Sequence, residues 1–254
     1  MTGRFGAAAF LVALAATTAW AVAGTSGSAT QRSVDAAASE PTATAAQQRP
    51  LRYERHDLFI ETNATDGDAG LQVNLDAEDW TWLKLRDPRG KLILDLQAKG
   101  RLRGYGLTEL LFEASEPSFD EVPFRVFKKR FPEGKYSFRG QTVEGRRLVG
   151  SDRLFHLVPA GPKVTFPTRG AQVDPNGFAV TWEPVTTPAG VKIVTYQVIV
   201  SQGERDLSMY LPATATSASI PGEFLEPGTE TDVEVLARER SGNQTITELP
   251  FRTR

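Results

Sequence analysis

Three segments near the C-terminus alternate between apolar and polar side chains. Phe178–Trp182 and Tyr196–Val200 follow this pattern, and so does Thr231–Val235, which comes after a turn at Pro227 and Gly228. A period of two residues places every second side chain on one face, which is typical of a half-buried β-strand. A Pro-Gly turn before such a strand is how a chain passes between the two sheets of a sandwich. The pattern therefore predicts a β-sandwich.

Together these segments resemble a fibronectin type III module, and the resemblance implies a sandwich over residues 160–254. Ala160, Gly161 and Pro162 mark its start, and the spacing fits seven strands. The module usually carries a tyrosine that braces its corner, where this chain has Thr231. Because a threonine hydroxyl is too short for that hydrogen bond, we expect other packing to hold the corner. The fold hosts many functions, so the resemblance implies no activity.

A wider resemblance covers both predicted domains. Four segments are similar to an uncharacterised family of exported bacterial proteins that end in a fibronectin type III module: Glu109–Pro117, Phe131–Tyr136, Thr142–Gly145 and Pro159–Pro162. This resemblance implies a domain order. It does not imply a reaction or a ligand.

The N-terminus has the features of an export signal. Arg4 is followed by the uncharged run Phe5–Val22, and Ala21 and Ala23 are the small residues that a signal peptidase reads. We expect residues 1–23 to be cleaved as a signal peptide, which leaves no stable membrane insertion. The alternative is an uncleaved membrane anchor. Residues 24–50 are rich in Ala, Ser, Thr and Gln and predict a disordered linker.

Residues 51–159 predict a first domain that is mostly β. Alternating segments indicate strands, and Trp80–Arg86 is expected to pair with Lys91–Gln97 around a turn at Asp87–Gly90 that Pro88 favours. Phe124, Phe127 and Phe131 are spaced for one face of a short helix. The predicted fold class is therefore mainly β: a β-sandwich or barrel-like domain with one short helix, followed by the fibronectin type III-like sandwich.

Composition excludes several chemistries. The chain has 254 residues, a net charge of −2, no cysteine and two histidines. A near-neutral charge does not favour nucleic acid, and the lack of cysteine excludes disulfides and zinc-thiolate sites. An exported protein without cysteine suggests a bacterial source in the periplasm or outside the cell. No common catalytic motif occurs, so the sequence predicts that the protein is not an enzyme.

The segment from Asn63 to Gly70 is a candidate calcium site. Asp66 and Asp68 alternate with small residues, and Asp76 on the next loop could complete a shell of oxygen ligands. The EF-hand spacing fails, because the twelfth position from Asp66 is an alanine. The alternative is an ordinary turn between strands. Calcium is the one cofactor considered, and the sequence otherwise predicts none.

Two tryptophans suggest a binding surface. In a regular strand, Trp80 and Trp82 share a face with Lys84 and Arg86, opposite the leucines of the same segment. Exposed aromatic rings of this kind stack on sugar rings. The alternative is that the helix or the second domain covers both tryptophans.

Other candidates have simpler explanations. Glu113, Glu116, Asp120 and Glu121 could supply the paired carboxylates of a glycosidase, or two of them could cap the following helix. The basic run Lys128–Arg130 fits the C-terminal end of a helix. His156 ends an apolar strand, which favours a packed histidine over a ligand.

These observations favour a non-catalytic binding or spacer module that contacts protein or glycan at the bacterial envelope or outside the cell. The loop from Arg238 to Gln244, with Arg238 and Asn243 as its candidate contacts, is one expected partner surface. The alternative for that loop is a solvated turn without a partner. The alternative function is a polysaccharide-acting hydrolase, or its accessory subunit, with a site in the first domain.

Overall fold

The computed structural model describes residues 49–254. The predicted signal peptide and all but the end of the predicted linker lie outside this range. Within it, no helix is long and apolar enough to cross a membrane. The strands and the α-helix follow in this order: β1 (Leu51–Arg52), β2 (Arg55–Asn63), β3 (Asp68–Arg86), β4 (Leu92–Gln97), β5 (Leu107–Glu113), α1 (Phe124–Arg130), β6 (Gly134–Thr142), β7 (Arg147–Leu154), β8 (Lys163–Phe166), β9 (Gln172–Val173), β10 (Gly177–Glu183), β11 (Ile193–Gln202), β12 (Arg205–Pro212), β13 (Ser217–Pro221), β14 (Glu230–Glu239) and β15 (Gln244–Thr253).

The first hydrophobic core lies under β2, β3, β6 and β7. Leu58 and Ile60 on β2 pack with Leu83 on β3 and with Tyr136 and Phe138 on β6, and all five are buried. They sit at alternate positions of their strands, so the residues between them, such as Phe59 and Ser137, point away from this core. The strand β3 has 19 residues and pairs with β2, β4, β5 and β6 in turn. It joins two segments that the sequence predicts as separate strands.

A bulge in β3 separates the two tryptophans. Trp80 pairs with Thr142, whereas Trp82 pairs with the adjacent Gln141, so β3 has one residue more than β6 in this interval. Because of the extra residue, the side chains that follow the bulge point to the opposite face from the one that regular alternation would give them. Trp80 consequently packs in the core with 1% of its surface exposed, while Trp82 is half-buried on the opposite face. The prediction of a face shared by both tryptophans is therefore wrong.

The second core lies between two sheets. One has the strand order β13-β10-β8, and the other contains β15, β14, β11 and β12. Val180 and Trp182 from the first sheet meet Tyr196, Val198 and other alternate residues of the second. Three strands facing four is a sandwich of the fibronectin type III-like kind. The predicted fold class, mainly β with one short helix, is confirmed, whereas the division into two domains at residue 160 stays a prediction.

A glutamine holds the corner of this sandwich. The Gln202 amide donates to the hydroxyl of Thr231 at 2.8 Å and accepts from the backbone N–H of Glu226 at 2.7 Å. Both Gln202 and Thr231 are buried. The long-range hydrogen bond that a tyrosine usually makes is thus supplied from the neighbouring strand β11, where the sequence predicts other packing.

One parallel strand pair joins the two halves into a single sheet. Glu61 of β2 lies beside Gln244 of β15, and Asn63 lies beside Ile246. The Ala64 N–H also donates to the Ile246 carbonyl at 2.8 Å. Paired residues point to the same face of a sheet, so both hydrophobic cores lie on one face and a common outer face continues across the pair.

Asn243 fixes this junction. Its Oδ1 accepts from the Ile60 N–H at 2.7 Å, and its Nδ2 donates to the carbonyls of Phe155 and Leu157 at 2.9 and 2.8 Å. The side chain is 1% exposed, so a single amide satisfies three backbone groups at the meeting point of β2, β15 and the connection between the two cores. Asn243 is therefore buried in the protein and is not exposed on a loop.

Replacing this amide should destabilise the protein. We expect Asn243→Ala to lower the free energy of unfolding by about 3 kcal/mol, because three backbone groups lose their partner. Chemical denaturation measures the change. The control is Asn176→Ala, which removes a hydrogen bond within an exposed turn. Equal stabilities of the two variants would contradict the role assigned to Asn243.

Candidate functional site

An open groove crosses the outer face of β6 and β7. It has a volume of about 510 Å³, and four of its lining residues are cations, accompanied by an aromatic ring: Arg52, Lys135, Arg139, Arg147 and Trp82. No described residue that lines it is acidic. Over residues 49–254, none of the four cations forms an ion pair. The groove therefore presents uncompensated positive charge.

Strand alternation gathers these cations. On β6, Tyr136 and Phe138 point into the core, so Lys135 and Arg139, which flank this pair, point outward. Arg147 on β7 lies opposite Gln141 of the same outward row. The parallel pairing of β1 with β7 then brings Arg52 beside Val149, next to Arg147. Four residues from three strands consequently meet on one face.

The Trp82 ring is held in place at one wall of the groove. Its Nε1 donates to Oε1 of Gln141 at 3.0 Å, and the Gln141 amide in turn donates to the Gly145 carbonyl at 3.0 Å. The two cations that the sequence associates with Trp82 are engaged locally. Lys84 pairs with Asp95 at 2.9 Å, and Arg86 donates to the Gly90 carbonyl at 2.9 Å.

A carboxylate cluster lies on the outer face near the junction. Carboxylate oxygens of Glu61, Glu113 and Glu116 all lie within 4.8 Å of one another. Glu61 is 3% exposed, Glu116 is half-buried and Glu113 is exposed. Gly70 lies opposite Glu61 on β3, and a Cβ there would clash with the Glu116 carboxylate, so glycine makes the room that the cluster needs.

Burial and mutual repulsion raise the pKa values of this cluster. Burial, followed by repulsion from Glu113 and Asp68, raises the pKa of Glu116 to about 8. Burial raises the pKa of Glu61 to about 7 against the hydrogen bond from Gln244. Burial and the charge of Asp66 raise the pKa of Asp68 to about 6. Carboxylates this close cannot all be ionised without a compensating positive charge.

The predicted calcium ligands do not come together. Asp66 is part of a turn in which Oδ1 of Asn63 accepts from the N–H groups of Thr65 and Asp66, at 2.8 and 3.2 Å. Asp76 lies eight residues beyond Asp68 on one extended strand, which corresponds to about 26 Å. Asp68 itself lies beside the carboxylate cluster, as its effect on Glu116 shows.

The remaining candidates have local partners. Helix α1 begins after Pro123 without a side-chain cap, so the predicted capping by Asp120 or Glu121 is wrong. The His156 ring contacts the Phe131 carbonyl at 2.8 Å, as expected for a packed histidine. The Arg238 guanidinium lies over the Phe59 ring, 5.2 Å from its centre, beside the junction.

Two groups of residues at these sites are not among the candidates that the sequence suggests. Lys135 and Arg139 flank the apolar Tyr136 and Phe138 on β6, and Arg147 begins β7, so the shared sign of their charge indicates a basic face. Glu61 follows the apolar run Leu58–Ile60, and a carboxylate in the middle of a buried strand was a signal for a site.

Comparisons with known proteins give distant structural similarity. A scan of family models finds no match, and a search of curated proteins finds none. The fn3 domain of human collagen alpha-1(XX) chain is 18% identical, with 39% of this chain and 88% of that chain covered and a TM-score of 0.29. A segment of two fibronectin type III domains from chicken tenascin is 11% identical, with 79% and 98% covered and a TM-score of 0.30. At this level of similarity, no function transfers to this chain.

Acidic residues continue along the outer face of β14 and β15. Glu234 lies opposite Glu248, and one of its carboxylate oxygens is buried without a hydrogen-bond partner. Burial, then repulsion from Glu248, Glu61, Asp206 and Asp232, raises the pKa of Glu234 to about 7. A raised carboxyl pKa means that the folded protein holds this proton more tightly than the unfolded chain.

Glu234→Gln should therefore stabilise the protein at high pH. Below the unfolded pKa of about 4 both states hold the proton, so the variant and the wild type should differ little there. As the pH rises through 7, the wild type loses stability and the variant should become more stable by about 2 kcal/mol. Urea denaturation at pH 4 and pH 8 measures this, with Glu204→Gln in an exposed turn as control. A difference that does not depend on pH would contradict the account.

Proposed function

We propose that the protein is a non-catalytic, exported binding module whose groove binds an anionic glycan. The observation that carries this proposal is the set of four unpaired cations beside Trp82 in one groove. The predicted signal peptide supports export to the bacterial envelope or beyond it.

The chemistry of the groove fits a sugar that carries carboxylate or sulfate groups. Guanidinium groups such as those of Arg139 and Arg147 bind these anions with two parallel hydrogen bonds. An indole ring stacks on the apolar face of a sugar ring, and Trp82 is already oriented by its bond to Gln141. Charge would supply affinity, and the ring would distinguish a glycan from a small anion.

Nucleic acid fits less well. The chain has a net charge of −2, and the carboxylates near the junction and along β14 repel an extended phosphate backbone. The groove itself concentrates four cations without an acidic neighbour in its lining. A partner with spaced charges along a neutral ring scaffold suits this distribution better.

A polysaccharide hydrolase is the second candidate, favoured by the proximity of Glu113 and Glu116. A glycosidase needs one carboxyl group as acid and one as nucleophile or base, with room for the sugar between them. Here Glu61 adds a third carboxylate within 4.8 Å, and the Gln72 amide bonds to Glu113 at 2.5 Å. The carboxylate oxygens are thus closer than the separation of about 5–5.5 Å in retaining glycosidases, so we favour binding without turnover.

Removing two groove cations should weaken glycan binding. We expect Arg139→Ser/Arg147→Ser to weaken binding to polygalacturonate at least about tenfold and to reduce its salt dependence, because fewer charges are neutralised. Isothermal titration at two salt concentrations measures both quantities. The matched control is Arg101→Ser/Arg103→Ser, which removes two exposed arginines of a 3-10 helix outside the groove.

Assays with a charged polymer and a neutral polymer distinguish the two proposed functions. Binding to polygalacturonate and not to a neutral glucan supports the proposal. Equal affinity for both polymers, or an unchanged affinity of the Arg139→Ser/Arg147→Ser variant, contradicts it. Release of reducing sugar that Glu116→Gln abolishes would instead establish the hydrolase.

A further inference from the structure

We propose that the carboxylate cluster of Glu61, Glu113 and Glu116, together with the amide of Gln72, is a Ca²⁺ site that braces the outer face of the sheet next to the junction. The residues differ from those of the groove, so the inference does not depend on the glycan proposal. They also differ from the three aspartates that the sequence suggests.

The donors match the chemistry of a hard cation. All three carboxylates offer oxygen atoms within 4.8 Å of one another, a spread that one ion can span at its usual ligand distances. Ca²⁺ takes six to eight oxygens, and carboxylates that bind through both oxygens can supply most of them. Mg²⁺ requires a nearly ideal octahedron and keeps several waters, which suits a partly buried cluster less well.

Gln72 provides an independent indication of a ligand. Its side chain is fully buried, and its Nε2 donates to Glu113 at 2.5 Å and to Glu61 at 3.4 Å. The Oε1 of the same amide is buried without a hydrogen-bond partner. Rotating the amide by half a turn exchanges the two atoms and directs this oxygen at the carboxylates. A cation between them would then bind this oxygen, while the Nε2 group would move to the opposite side of the amide.

The cluster lacks a compensating side chain. Among the described residues, no ion pair involves any of its three carboxylates. The nearby charge of Arg238 acts on Glu61 but ranks below burial and the repulsion from Glu113. One Oδ atom of the neighbouring Asp68 is likewise buried without a partner. A divalent ion would reduce the repulsion among the three carboxylates.

The position of the cluster indicates which parts of the sheet a bound ion would connect. Glu61 lies on β2 and is bonded by the Gln244 amide of β15, whereas Glu113 ends β5 and Glu116 lies in the segment that follows. An ion held by all three carboxylates ties that segment to the strand that joins the two cores. Binding should therefore raise the thermal stability of the whole sheet.

Thermal melting and isothermal titration with Ca²⁺ test the site. In chelator, at pH 7.5, Glu116→Gln should melt at or above the wild-type temperature, since glutamine has the size of glutamate and relieves the crowding of three carboxyl groups. With 5 mM Ca²⁺, the wild type should gain about 3–8 °C, whereas Glu116→Gln and Gln72→Leu should gain nothing. Glu109→Gln is the matched control on the same strand β5, and it should respond to Ca²⁺ like the wild type.

Each possible outcome of these experiments either overturns or supports the proposed Ca²⁺ site. A wild-type melting temperature that is the same in Ca²⁺ and in chelator, with no heat of binding, overturns the proposal. An undiminished Ca²⁺ response of Glu116→Gln also overturns it, as does a lost response of Glu109→Gln. Loss of the response in both cluster variants, together with a wild-type stoichiometry of one ion, supports it.

Discussion

The parallel pairing of β2 with β15 is the contact on which the rest of this structure depends. It makes one sheet from strands that belong to two hydrophobic cores, and Asn243 closes it by satisfying three buried backbone groups. The bonds across it are polar and buried, such as the one between the hydroxyls of Thr62 and Thr245 at 2.7 Å. Buried polar contacts of this kind specify one arrangement, because any other leaves groups unpaired.

This shared sheet also separates the charges of the molecule. The cores occupy one face, so charged side chains must lie on the other. The basic groove lies over β6 and β7, and the carboxylates lie where β2, β3 and β15 run together. A nearly neutral chain thereby carries two strongly charged sites. Its net charge alone conceals both of them.

Alternation in the sequence predicts most strands and the fold class, because inward and outward residues differ in polarity. It does not predict the bulge between Trp80 and Trp82, since a bulge adds one residue without changing composition. The carboxylate cluster is beyond local prediction for another reason. Glu61 and Glu116 are brought together by strand pairing, and the register of that pairing is set by tertiary packing. The sequence predicts Asn243 as an exposed loop residue because its hydrogen-bond partners are distant in sequence.

Calorimetry of the wild-type protein tests the central claim, that β2 and β15 make the two cores one cooperative unit. The account predicts a single heat-absorption peak whose calorimetric enthalpy equals the van 't Hoff enthalpy. Two resolved peaks, each matching the enthalpy of about half of the described residues, would contradict it and show that the cores unfold independently.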